Sequence, residues 1–168
     1  AVCQQYLNDA LALFFGGFVV ARAMEKHDLH SRLGLKILVL GGNRPAFIIL
    51  AAMLATAFLS MWISNSATAA LMVPIMMSLL DTVQANLHGD ATDEATIASL
   101  DRRFHRYSLA LLMGVAFSAS VGGTSTLIGT GPNLILLQDL EEFYPEAPEI
   151  SFLQWMLFAL PLALLMIG

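Results

Sequence analysis

Ser60, Ser64, Asn65, Ser66 and Thr68 fall within the nine-residue segment SMWISNSAT, inside a stretch that carries no charge from residue 45 to residue 80. A second uncharged segment, SASVGGTSTLIGTGPNLIL (118–136), places Gly122, Gly123, Gly129, Gly131 and Pro132 within eleven residues. Glycine lowers the barrier to non-helical dihedrals and proline deletes a helix donor, so the chain must leave the helix at the second segment. Hydroxyl and amide oxygens, joined by carbonyls freed where a helix breaks, form a hard-oxygen cage suited to a small cation such as Na⁺. Half-helices starting near Thr68 and Asn133 would present unpaired N–H groups and a positive dipole end, which favour an anion. Neither segment contains Lys or Arg. A cation bound beside the anion would supply the missing positive charge, and the two would then bind as a coupled pair.

The surroundings of these residues point to a membrane. Of 168 residues, 57% are hydrophobic and 12% charged, against about a quarter charged in soluble domains. The charges are also segregated. All eight Lys and Arg fall in 22–44 (Arg22, Lys26, Arg32, Lys36, Arg44) or 102–106 (Arg102, Arg103, Arg106), while the segment DLEEFYPEAPE is purely acidic. The positive-inside bias places both basic clusters in the cytoplasm and the acidic loop outside. The expected localisation is a multi-pass integral protein of the plasma (inner) membrane.

That topology requires the uncharged stretch 45–80 to begin and end on one side. Two full spans and a turn need more than about 40 residues, and 36 are present. A re-entrant helical hairpin, turning near the bilayer midplane at the SNS tip, is therefore expected over 44–81. Irregular backbone at that depth is tolerated only against protein or a water-filled cavity. The remaining expected organisation is a transmembrane helix over 1–27 and a cytoplasmic interfacial amphipathic helix over 28–43, ended by Gly41-Gly42. A polar cytoplasmic loop (82–106) follows. A broken transmembrane helix (107–142) is expected to unwind over 122–132. An extracytoplasmic loop and the start of a further transmembrane helix occupy 143–168. The fold class is thus all-α integral membrane, with a re-entrant hairpin and a discontinuous transmembrane helix. The chain begins at Ala1, with no basic segment leading a short apolar core, and ends inside an apolar run. It is expected to be a fragment of a longer chain.

SMWISNSATAALMVPI and SASVGGTSTLIGTGPNLIL together resemble the divalent anion:sodium symporter family, which includes dicarboxylate, citrate and sulfate carriers. The resemblance runs from FFGGFVVARAMEKHDLHSRL onward. It implies the first half of an inverted-repeat, elevator-type transporter that works as a homodimer and whose C-terminal repeat carries a second sodium site. By position, Ser60, Ser64, Asn65 and a carbonyl of about Gly123 correspond to the first sodium site. Asn65, Ser66, Thr130, Gly131 and Pro132 correspond to the substrate-binding residues. Ser66 stands where the family's signature usually carries threonine, so the hydroxyl is kept and a methyl lost. The implied function is sodium-coupled secondary transport of small di- or tricarboxylates such as succinate, malate and fumarate, with citrate a further candidate. A sulfate carrier or a sodium-independent or proton-coupled anion exchanger would use the same scaffold.

Other classes fit less well. An ion channel with re-entrant loops also uses broken helices but needs a continuous pore. An intramembrane enzyme needs a paired acid, base or metal in the span, and 45–80 and 107–138 contain no Asp, Glu, His or Cys. No catalytic residue, resident metal or nucleic-acid partner is expected; Na⁺ is the transported ion. His27 and His30 lack the further ligands that a metal site would need, and a single cysteine, Cys3, cannot form an internal disulfide. GTGPN lacks the Walker lysine. Gly16-Gly17 and Gly114 are expected to serve helix packing.

Overall fold

The computed structural model describes residues 9–27, 44–89, 94–146 and 150–168, together with Arg32, Lys36 and Pro148. The described residues are helical: α1 (Asp9–Lys26), α2 (Pro45–Ser60), α3 (Asn65–Gly89), α4 (Glu94–Thr124), α5 (Gly131–Phe143) and α6 (Phe152–Ile167). The amphipathic helix expected over 28–43 lies outside the described residues, apart from Arg32 and Lys36, which are helical and exposed.

Two helix starts have a clear local cause. Pro45 opens α2, where a missing N–H costs no hydrogen bond. A capping box opens α6: Ser151 Oγ accepts from the Gln154 N–H at 3.3 Å, and Gln154 Oε1 accepts from the Ser151 N–H at 3.0 Å. The short turn 61–64 folds α2 back into α3, and α4 packs along both.

Small side chains let α2 and α4 approach closely. Ala51, Ala52, Ala55 and Ala57 are buried on α2. On α4 the Gly114 Cα faces the Met53 side chain, where an added Cβ would lie 3.1 Å from the Met53 sulfur. Gly122 abuts the backbone of Ala57. This is the close small-residue contact by which helices associate in lipid. Below it lies an apolar cluster of Ala52, Ala55 and Leu59 from α2, Met72, Met76 and Leu80 from α3, and Leu111 and Val115 from α4.

The outer faces are also apolar. Phe47, Leu50, Leu54 and Phe58 form an exposed stripe on α2, and Leu109, Met113 and Phe117 form one on α4. Such stripes suit lipid or protein neighbours rather than water. Among the described residues, Asn65–Ala85 and Ser99–Thr124 are long and apolar enough to cross a membrane, while Pro45–Ser60 and Phe152–Ile167 are apolar but shorter.

Several boundaries differ from expectation. Residues 82–106, expected as a polar loop, are helical over 82–89 and 94–106, so α3 runs 25 residues and α4 runs 31. Charge marks where a helix meets water and not where it stops; the charged and polar residues here carry ordinary helix propensities. The unwound stretch is 125–130 rather than 122–132, because Gly122 and Gly123 remain helical. Their small size serves contact with α2 and Asn65 instead of loosening the chain. The two half-helices begin at Asn65 and Gly131, slightly ahead of the expected Thr68 and Asn133.

Candidate functional site at two helix breaks

The α2–α3 turn and the α4–α5 break meet. Ser60, the last residue of α2, is fully buried and its hydroxyl lies 2.5 Å from the Ala119 carbonyl oxygen and 2.9 Å from Asn65 Oδ1. A hydroxyl has one proton to donate, so it serves one of these two acceptors at a time. Three oxygens therefore converge with a single proton among them, an arrangement that a cation would complete. Gly123 lies so close to Asn65 that an added Cβ would fall on Oδ1. Any larger residue there would displace the amide.

The break is tied to the turn by side chains. Thr126 is fully buried and its hydroxyl donates to the Met61 carbonyl at 2.5 Å, across 65 residues of sequence. Asn133 Nδ2 donates to the carbonyls of Thr126 at 2.7 Å and Gly123 at 3.2 Å. One amide thus holds both ends of the loop. Gly129 fits tightly between the two elements: a Cβ there would lie 2.5 Å from the Gly123 carbonyl oxygen and 3.0 Å from the Ser60 carbonyl oxygen. The Trp155 indole N–H of α6 donates to the Thr124 carbonyl at 3.0 Å, satisfying an acceptor left free at the end of α4.

Of the residues singled out from the sequence, Asn65 meets both Ser60 and Gly123. Ser64 is exposed, and its hydroxyl accepts weakly from the Ala67 N–H at 3.4 Å, capping α3. Ser66 and Pro132 are exposed, Thr130 and Gly131 half-buried, at the open first turns of α3 and α5. Thr130 has an extended backbone and its hydroxyl makes no capping bond, which leaves that group available. Pro132 sits in the first turn of α5, where it removes no intrahelical bond. Sequence reasoning missed Thr126, the Ala119 carbonyl and Trp155, and named Asn133 only as the start of a half-helix. Only Asn133 carried a local signal, directly following Gly-Thr-Gly-Pro.

The electrostatics are those of neutral oxygens and dipoles. No ionisable side chain interrupts 45–80 or 107–138 apart from the Tyr107 phenol at the boundary, and no group of three metal-ligating His, Cys, Asp or Glu occurs among the described residues. Neutral oxygens without a carboxylate suit a monovalent cation. The open N-termini of α3 and α5 add partial positive charge from unpaired N–H groups. Thr68 Oγ1 and Ser118 Oγ, in the same region of α3 and α4, are buried with no hydrogen-bond partner among the described residues.

Comparison with known proteins identifies the family of the chain. The family model described as "Citrate transporter" (CitMHS) matches residues 1–168. The rat Na(+)/citrate cotransporter is 38% identical, covering 99% of this chain and 33% of its own length. The human Na(+)/dicarboxylate cotransporter 3 is 36% identical over 98% of this chain and 35% of its own length. Mouse solute carrier family 13 member 2 is 36% identical, over 95% of this chain and 32% of its own length. The chain therefore spans about a third of the length of these curated relatives. The matching family is one of transporters rather than enzymes. On the strength of a match over its whole length, the chain belongs to the CitMHS citrate transporter family.

Proposed function

We propose that the full protein is a sodium-coupled carrier of small di- or tricarboxylates, and that this chain supplies one sodium site and half of the substrate site. The observation that carries the proposal is the convergence of the Ser60 hydroxyl, the Asn65 amide oxygen and the α4 backbone at the meeting of two helix breaks. The names of the relatives, Na(+)/citrate and Na(+)/dicarboxylate cotransporters, agree with it.

In this scheme Ser60, Ser64, Asn65 and Gly123 hold Na⁺, while Asn65, Ser66, Thr130, Gly131 and Pro132 meet a substrate carboxylate. Coupling follows from charge. A cation and a carboxylate about 4 Å apart attract by about 4 kcal/mol at an effective dielectric constant of about 20, before desolvation is subtracted. That gross figure corresponds to about three powers of ten in affinity. Without Na⁺, the anion would meet only dipole ends.

The α2–α3 pair is proposed to be the re-entrant hairpin. α2 at 16 residues is about 24 Å long, short of the roughly 30 Å hydrocarbon core, and the uncharged part of α3, 65–80, is equally short although the helix itself continues past Asp81 to Gly89. The basic clusters face the cytoplasm, the C-terminal repeat completes the cavity, and a homodimer moves its transport domain elevator-fashion through the lipid bilayer. The test is uptake of labelled succinate and citrate by the full-length protein in proteoliposomes, with an inward Na⁺ gradient or with choline. Uptake that follows the Na⁺ gradient supports the proposal. Equal rates in the two media would remove sodium coupling, and competition by sulfate alone would change the substrate class.

A further inference from the structure

Away from the two helix breaks, a cavity of about 480 Å³ opens where the start of α2, the end of α3 and the first half of α4 come together. Its volume lies within the roughly 300–1,000 Å³ of small-molecule pockets. Ile48, Val83, Leu100, Phe104 and Tyr107 line it, with Arg103 the charged group in its wall. Leu100, Arg103, Phe104 and Tyr107 follow the i, i+3, i+4, i+7 spacing of one helix face.

The position of the cavity along the helices matters. Arg44 is the last charge before the uncharged stretch of α2, and Arg106 is the last charge before the uncharged stretch of α4, which begins at Tyr107. The cavity therefore lies where apolar helix gives way to water. Its surroundings are basic, with exposed Arg44, Arg102 and Arg106 beside Arg103, against Asp81 and Asp101.

We infer that this cavity binds an anionic phospholipid of the surrounding bilayer, its acyl chain against Ile48, Val83 and Phe104 and its phosphate on Arg103. An apolar wall carrying one guanidinium at the boundary of the span matches the two ends of such a lipid, whereas a small water-soluble dicarboxylate has no apolar part to place against it. Guanidinium is also the side chain best shaped to grip a phosphate. The lipid would wedge between the elements that carry the proposed hairpin, while the binding itself is independent of what the carrier transports.

The experiment uses the full-length protein in detergent, supplied with dioleoylphosphatidylglycerol or dioleoylphosphatidylcholine, and reads thermal stability against lipid concentration. The phosphatidylglycerol lipid raises the melting temperature and the phosphatidylcholine lipid does not. Arg103→Gln shifts the half-saturating concentration of the anionic lipid upward by about fivefold, the effect of one basic residue at a membrane surface. A Leu100→Cys variant in a cysteine-free background reacts with maleimide when delipidated and is protected by phosphatidylglycerol, a readout that survives if cavity-filling variants misfold. Equal stabilisation by both lipids, an Arg103→Gln response like the wild type, or a Leu100→Cys variant that stays unlabelled even when delipidated would each overturn the inference. The last result would mean that the rest of the polypeptide fills the cavity.

Discussion

Replacing Gly123 with alanine separates the proposed chemistry of the site from its architecture. The added Cβ would fall on Asn65 Oδ1, with Asn65 Cγ at 2.9 Å and Nδ2 at 3.1 Å. The side chain of Asn65 must therefore swing away, losing its hydrogen bond with Ser60. Such a bond contributes about 0.5–1.5 kcal/mol. Against this, alanine is favoured over glycine within a helix by about 0.8–1.0 kcal/mol, and residue 123 is helical. The two effects nearly cancel, so the melting temperature of the full-length carrier should move by no more than about 2–4 °C. Sodium binding has no such compensation. The half-saturating Na⁺ concentration for uptake should rise at least about tenfold, equivalent to about 1.4 kcal/mol. Gly122→Ala is the control. Its Cβ would strike the backbone of Ala57, which cannot rotate aside, so α2 and α4 must separate. Overpacking of that kind costs about 1–3 kcal/mol, and Gly122→Ala should lower thermal stability first. The reasoning fails if Gly123→Ala keeps the wild-type sodium dependence, or if both variants lose the same stability.

Asn65→Ala removes the amide oxygen beside Ser60 and should abolish sodium-dependent uptake in proteoliposomes while leaving expression largely intact; retained sodium-dependent uptake would count against the site. Ser66→Thr adds one methyl at an exposed position and keeps the hydroxyl, so uptake should persist, and complete loss of activity would contradict it. Asn133→Ala frees the Gly123 and Thr126 carbonyls in a buried place. At about 1–3 kcal/mol for each buried acceptor left unsatisfied, thermal denaturation should show a loss of about 2–6 kcal/mol; an unchanged melting temperature would show that the amide does not hold the loop.

Much of this architecture is legible in local chemistry. Pro45, the Ser-Asn-Ser turn and the Gly-Thr-Gly-Pro segment mark a helix start and two breaks, because capping, missing donors and glycine dihedrals act within a few residues. Charge was a less faithful guide. The Arg102–Arg106 cluster lies within α4, and reading 82–106 as loop put the start of that helix at 107 instead of 94. The same locality explains why Ser60 and Asn65 could be named from the sequence and Thr126 could not. Thr126 matters through a carbonyl 65 residues away, and no spacing rule covers that distance.

From the sequence alone came the apolar character, the two broken segments, the kind of oxygen chemistry they offer and, by resemblance, the family. The tertiary structure decided which oxygens meet: the Ser60 hydroxyl with Asn65 and the Ala119 carbonyl, Thr126 with the turn, and Asn133 across the loop. It also decided why Gly122 and Gly123 are glycines, since both are helical and both are pressed against another segment. Helix breaks arise from dihedral preferences written residue by residue, whereas convergence depends on how far two helices can approach, which only their packed surfaces determine.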